Sequence, residues 1–267
     1  MIEAGAAELA RDPGPREAPL LRVESVAHSF GGVQAVDGVS FDVMGGEFVG
    51  LIGPNGAGKS TLLDCISGQI NGYRGTIRFG GEDISRLPMF KVARRGLVRS
   101  FQVSRVFDRL TVLSNLMAAA PGQKGERLLW AVLGGWGGEE ATHVRRADEV
   151  LEEFHLTPVA QSYASEISGG QRRLVELSRT LLGEPKMLLL DEPFAGVSPA
   201  NRRKLGDWLL SLNRDMGLTI LMVEHRLEQV ERLCSTAVVM ALGKQIARDS
   251  LANLRRDPRV VAAYFGG

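Results

Sequence analysis

The sequence has little that would mark a membrane, secreted or nucleic-acid-binding protein. No apolar run reaches the roughly 18 residues that a bilayer-spanning helix needs, and the stretch "LLWAVLGGWGG" (128–138) is too short and too rich in glycine. Cysteine is scarce. Cys65 and Cys234 lie far apart and match no metal spacing, which excludes a disulfide framework and points to reduced core residues in a cytosolic protein. Neither sign of charge is in excess: 32 Lys and Arg face 31 Asp and Glu, a formal +1. That leaves no broad field of one sign to hold a nucleic acid. The first residues lack the long apolar segment of a secretion signal; their Ala, Pro, Glu and Arg content reads as a disordered leader over 1–20. No internal repeat of roughly 20 to 50 residues is present.

What is present is an ordinary globular composition, 44% hydrophobic and 24% charged, over 267 residues. That length suits one large domain or two small ones, either with a sizeable core. Residues 21–52 alternate short β-rich runs with glycine turns, and "YRGTIRFGGEDI" (73–84) predicts a further strand and hairpin. Between them, Leu62, Leu63 and Ile66 fall at helical spacing. Residues 88–165 read as mostly helical, with a Gly-rich, Trp-containing insertion at 121–138. Leu174, Leu177, Ser178, Leu181 and Leu182 form the stripe of a helix packed on a core. "MLLL" (187–190) and "TILMV" (219–223) are short continuous apolar runs, the pattern of parallel strands buried on both faces. Helices are predicted at about 199–214 and 226–233. The fold class is therefore α/β: a parallel sheet, an antiparallel β portion near the N-terminus and a helical insertion.

"GPNGAGKS" (53–60) fits the phosphate-loop pattern at every position and follows a strand-like "EFVGLI". Glycines at 53, 56 and 58 let backbone N–H groups converge on phosphate oxygens, and the following helix points its positive end at them. Lys59 supplies a compact charge for the β- and γ-phosphates, and the Ser60 hydroxyl is a Mg²⁺ ligand. Pro54, Asn55, Ala57 and Thr61 complete the nucleotide-binding stretch. Alone, the motif specifies a P-loop NTPase and no more. It also explains why "MLLLDEPFAGVSP" (187–199) ends a core strand with two carboxylates, each costly if buried unpaired. At the carboxyl edge of a parallel sheet, where ligands bind, Asp191 can hold Mg²⁺ and Glu192 can orient and deprotonate an attacking water.

"ISGGQRR" (167–173) narrows the family. Taken alone it is a capped helix start whose free N–H groups could bind an anion. Placed between the phosphate loop and Asp191, it resembles the signature of the ATP-binding cassette (ABC) family, usually Leu-Ser-Gly-Gly-Gln, with Ile167 a mild departure. The resemblance covers about residues 21–265. It implies that Phe30 stacks on adenine, that Gln102 in "RSFQ" senses Mg²⁺ and faces a membrane subunit, and that His225 contacts the γ-phosphate. It further implies a head-to-tail dimer, with each ATP between one subunit's phosphate loop and the other's Ser168, Gly169, Gly170 and Gln171. The helical (signature) subdomain would span about 103–180. His28, His143 and His155 match no family element and are read as structural.

Within the family, "IGPNGAGKST", "RSFQ", "MVEH" and the terminal "DPRVVAAYFGG" look most like the ATPase subunits of branched-chain amino acid importers. Urea-type importers and lipopolysaccharide exporters share much of this. The resemblance implies ATP and Mg²⁺ as ligands, separate transmembrane permease subunits, a second ATPase subunit (identical or different), an indirect link to a substrate-binding protein, and a peripheral position on the cytoplasmic side of the membrane. "VSRVFDRLTVLSNL" (103–116) would dock the permease, with Val106, Phe107 and Leu110 apolar and Arg105 and Arg109 at the rim. Two other classes stay open: a cytosolic cassette ATPase of DNA repair or translation, and a regulatory module that binds ATP without cleaving it. Ser198 departs from the family, which has an aspartate there. "SPANRRKL" reads as a helix start with Ser198 as N-cap and Pro199 at the first helical position, so capping should survive the difference.

Overall fold

The computed structural model describes residues 18–100, 106–119 and 137–265. Residues 1–17 of the expected leader lie outside that range, as do 101–105, 120–136 and the last two residues. Two sheets organise the rest. A four-stranded antiparallel sheet has the order β2 (Val33–Val43), β1 (Leu21–Phe30), β4 (Arg74–Phe79), β5 (Glu82–Asp83). A six-stranded sheet runs β10 (Lys244–Asp249), β9 (Thr236–Ala241), β3 (Phe48–Ile52), β8 (Thr219–Val223), β7 (Met187–Asp191), β6 (Leu97–Arg99). All its neighbours pair in parallel except the edge strand β10.

The apolar runs became the strands they predicted. Every residue of β3, β7 and β8 is buried. Successive side chains face opposite sides of a strand, so β7 divides its apolar residues between two cores. Met187 and Leu189 join a cluster with helix α1 (Lys59–Ile66) and the antiparallel sheet. Leu188 and Leu190 join a second cluster with helices on the other face. Those helices are α3 (Val112–Met117), α4 (Gly137–Glu153), α5 (Gly169–Leu181) and α6 (Pro199–Met216). The predicted stripe on α5 holds: Leu177, Ser178, Leu181 and Leu182 are buried and Leu174 packs partly.

The reading of 88–165 as mostly helical is corrected at β6. Only α2 (Met89–Ala93) precedes it, and the three residues Leu97–Arg99 are too few to show any period. Their strand state comes from pairing with β7, a tertiary cause. Beyond β8, a helix α7 (Leu227–Leu233) leads to the β9–β10 hairpin, and α8 (Leu251–Leu254) and α9 (Pro258–Phe265) close the chain over a third, smaller core. Both cysteines are free: Cys65 is buried and Cys234 half-buried, as core residues should be. Burial, with Asp64 adjacent, pushes the Cys65 thiol up to about 12.

Candidate functional site

The phosphate loop joins β3 to α1, and its shape leaves no choice of residue at two points. Gly53 and Gly58 have φ of 150° and 93°. A Cβ on Gly53 would lie 2.1 Å from the Met240 carbonyl oxygen, and one on Gly58 2.1 Å from that of Ala35. The loop is thus wedged between β9 and the start of β2. The hairpin turn Leu242–Gly243 closes the wedge: Gly243 N–H donates to the Ala57 carbonyl at 3.2 Å, and Asp37 N–H to the Gly243 carbonyl at 2.8 Å. Gly58 caps α1 in the left-handed conformation. The first-turn N–H groups of Lys59, Ser60 and Thr61 therefore have no helical acceptor, while Leu62 N–H is the first to bond back, to Gly58.

Lys59 Nζ donates to the carbonyls of Gly53 and Pro54, both at 2.9 Å, so the ammonium sits inside the curve of the loop. Two of its three protons are used. Burial lowers its pKa, and the nearby Glu192 and Asp191 carboxylates oppose that shift. The three groups predicted from separate motifs are therefore brought together at the carboxyl edge of the sheet.

Asp191, the last residue of β7, is buried, with Oδ1 lacking any partner. Its Oδ2 accepts from Arg99 Nη2 at 2.9 Å, and Arg99 Nη1 also pairs with Asp64 of α1. The donor set fits a Mg²⁺ ion: one buried carboxylate oxygen without a partner and the exposed Ser60 hydroxyl suit a cation that keeps several waters and takes phosphate oxygens for the rest. Glu192 follows in the left-handed region, φ 47°, which costs a non-glycine residue about 1 kcal/mol or more. Its N–H donates to the Val223 carbonyl at 3.0 Å, which holds the strained turn. The side chain lies beside His225: Nε2 to Oε2 is 3.3 Å. His225 is itself presented by Glu224, a buried carboxylate whose Oε1 accepts from the N–H groups of His225 and Arg226 at 3.0 and 3.1 Å.

Phe30 is 53% exposed at the end of β1, on the hairpin whose Ala35 lies against Gly58. His28, read as structural, is more specific than that: its ring meets Phe30 edge-on at 4.5 Å and its Nδ1 lies 3.3 Å from the Gly72 carbonyl oxygen. Gln102 lies outside the described residues, as does Arg105. Of the proposed docking segment, Phe107 and Leu110 are exposed, while Val106 packs partly on the core. Buried Asn115 pins this segment by bonding the Phe107 N–H and carbonyl, and the Arg179 guanidinium lies 4.9 Å over the Phe107 ring.

The signature residues form a closed cap. The Ser168 hydroxyl accepts from Gln171 N–H at 3.2 Å and Gln171 Oε1 accepts from Ser168 N–H at 2.9 Å. A Cβ on Gly170 would meet Asn201 Nδ2 at 2.6 Å, so the glycine lets α5 approach the start of α6. Among the described residues no hydrogen bond or ion pair joins Ser168, Gly169, Gly170 or Gln171 to the phosphate loop, Asp191 or Glu192. Ser198 does hold the N-cap position, with Pro199 behind it and its carbonyl accepting from Arg202 N–H at 2.9 Å. The expected side-chain cap is absent, since its hydroxyl accepts no helical N–H.

Sequence reasoning missed Arg99, Asp64 and Glu224. Arg99 meets Asp191, and Asp64 braces Arg99, through contacts between distant stretches of chain; Glu224 acts on His225 through a turn that carries no pattern.

Comparison with known proteins agrees with this arrangement. Residues 36–195 match the ABC transporter family. A probable branched-chain amino acid transport ATP-binding protein of Archaeoglobus fulgidus is 36% identical over 92% of this chain and 95% of its own. A lipopolysaccharide export system ATP-binding protein of Haemophilus influenzae is 35% identical over 92% of this chain and 97% of its own. Among solved structures, the ADP conformation of an ATP-binding cassette from an ABC transporter superposes with a TM-score of 0.80 at 35% identity, covering 94% of this chain and all of the other.

Proposed function

This chain belongs to the ABC transporter family as one of its ATPase subunits, and from that premise we propose that it powers the uptake of branched-chain or other hydrophobic amino acids. ATP binding and hydrolysis come with the family; the solute is an inference from relatives named for branched-chain amino acid transport. A second reading, lipopolysaccharide or lipid export, is favoured by one specific observation, the Haemophilus relative at nearly the same identity. Urea-type import is a further alternative.

The observation that carries the catalytic reading is the 3.3 Å approach of His225 to Glu192 beside Asp191 and Lys59. In this reading Glu192 takes a proton from water as its oxygen attacks the γ-phosphorus, the bond to the β-phosphate oxygen breaks, and ADP leaves. His225 hydrogen-bonds the γ-phosphate and Lys59 neutralises its charge. Phe30 stacks on adenine; Gly53, Pro54, Asn55, Gly56, Ala57, Gly58 and Thr61 shape the loop. Ser60 and Asp191, with Gln102, would hold Mg²⁺, which when bound neutralises phosphate charge in the transition state.

The outward-facing cap of Ser168, Gly169, Gly170 and Gln171 supports a second cassette, identical or different, whose ATP it would cover. Closure of that dimer is the two-state step that nucleotide drives. No described helix is long and apolar enough to cross a membrane. The transport role therefore calls for separate permease subunits, with this chain peripheral on the cytoplasmic side and a substrate-binding protein as an indirect partner. The docking site would be the helical subdomain, about 103–180. Exposed Phe107 and Leu110 belong to it, near a cavity of about 840 Å³ lined by Arg95, Val98, Ser100, Ala119 and Thr180.

The test is ATP turnover by the purified chain and by Lys59→Ala, with co-purification of membrane protein. Turnover lost about 10²-fold or more in the variant supports the site; equal turnover overturns it. A permease that co-purifies supports transport, and stimulation by a hydrophobic amino acid with its binding protein separates uptake from lipid export.

A further inference from the structure

We propose that Arg99 is a positioning residue for Asp191: its guanidinium, braced by Asp64, occupies one carboxylate oxygen and leaves the other aimed at the divalent cation that accompanies ATP. The inference rests on the reading of Asp191 as a cation ligand.

Arg99 ends β6, in register with Leu189 of β7, and Ser100 N–H donates to the Leu189 carbonyl at 3.0 Å. The backbone that carries the guanidinium is therefore fixed to the strand that carries Asp191. Nη2 donates to Asp191 Oδ2 at 2.9 Å and Nη1 to Asp64 Oδ1. The Arg99 side chain is 10% exposed, between Asp191 at 2% and Asp64 at 24%. A planar fork can hold two carboxylates in set directions; a lysine ammonium on its flexible stem does not.

The effect on Asp191 is selective. Oδ2 is occupied, while Oδ1 is buried and without a donor. The χ2 torsion of aspartate is broad and roughly two-fold, so nothing intrinsic decides which oxygen faces the nucleotide. Arg99 supplies that decision. A guanidinium this close to a metal ligand also repels a cation, and the two effects oppose each other. Asp64 settles the balance: it neutralises the guanidinium from the α1 side, so orientation outweighs repulsion. Around the loop, Arg99 and Lys59 then face Asp64, Asp191 and Glu192, which leaves one negative charge over for a divalent ion.

The experiment measures Mn²⁺ binding to the full chain by electron paramagnetic resonance, with a non-hydrolysable ATP analogue, beside the Mg²⁺ dependence of turnover. Arg99→Gln is expected to weaken Mn²⁺ binding and raise half-saturating Mg²⁺ about tenfold, with turnover at saturating Mg²⁺ within about twofold of the parent. Metal-free nucleotide affinity should stay unchanged. Arg99→Lys, which keeps the charge without the fork, should recover less than half of the loss. Asp64→Asn should shift metal affinity in the same direction by less. Unchanged or tighter Mn²⁺ binding in Arg99→Gln overturns the proposal. If that variant does not fold, unchanged metal affinity in both Arg99→Lys and Asp64→Asn overturns it instead. Lys59→Ala separates the two levels: if it keeps full turnover, the site reading has failed, and if it is inactive while Arg99→Gln binds Mn²⁺ normally, only this inference has.

Discussion

The phosphate-loop edge and the signature edge are built on opposite plans. At the first, the chain converges on itself. Two glycines are forced by backbone approaches of 2.1 Å, a glutamate is held in a left-handed turn, and Arg99 ties two carboxylates from separate elements. At the second, Ser168 and Gln171 satisfy each other, and the neighbouring ties are an exposed pair between Arg172 and Asp108 and the stacking of Arg179 on Phe107. Exposed ion pairs contribute about 1 kcal/mol or less. The difference teaches that one edge is held by ties between distant elements, whereas the other is an exposed helix start satisfied by its own local cap. On the proposed reading, chemistry belongs to the first and complementarity to the second.

The sharpest way to break that division is Glu192→Gln. The amide keeps the volume and one acceptor but takes up no proton, so turnover should fall about 10²- to 10⁴-fold. Nucleotide affinity should persist, because Lys59 and the loop are untouched, and a closed dimer should accumulate. Single-turnover kinetics and gel filtration with ATP check both. Normal turnover would remove Glu192 as the base and leave His225 without its stated partner.

The two edges also differed in how legible they were. The phosphate loop could be read because its chemistry demands glycine at set positions, and the φ values at 53, 56 and 58 meet that demand. β7 and β8 could be read because five-residue strands buried on both faces are apolar throughout. β6 could not, since three residues carry no period and pairing with β7 decides their state. The Arg99 clamp was invisible for a related reason: residues 64, 99 and 191 meet only once three elements are packed. His28 looked inert because an edge-on ring contact with Phe30 leaves no trace in spacing. The signature motif was legible, but among the described residues no hydrogen bond joins it to the phosphate loop.

A smaller effect is expected at the second edge. Ser168→Ala removes the hydroxyl half of the capping box, leaving the bond from the residue 168 N–H to Gln171 Oε1, and should cost about 1 kcal/mol of stability. If the cap also serves a partner's nucleotide, ATP affinity of the separated chain should not change while turnover of the assembled ATPase falls. Chemical denaturation and ATPase assays at several protein concentrations divide these terms. Loss of ATP affinity in the separated chain would mean that the two edges act within one subunit, and the contrast between them would fail.

The smallest effect tests the joint between the edges. Ser198 starts α6, whose Asn201 touches the signature at Gly170, and lies six residues beyond Glu192 on the chain. Its backbone takes the N-cap conformation, φ −62° and ψ 152°, yet its hydroxyl caps nothing. Ser198→Asp places a negative charge at the helix N-terminus, worth about 0.3–1 kcal/mol from the dipole, and offers a stronger acceptor to the same N–H groups. Stability should therefore rise by no more than about 1 kcal/mol in a denaturant titration. Any change in turnover beyond that of the stabilised fold would come from the charge facing a second cassette, and it should disappear when the protein is diluted to monomer. A change that survives dilution would place the effect inside one chain, at Glu192, and would make the loop from 192 to 198 part of the catalytic edge.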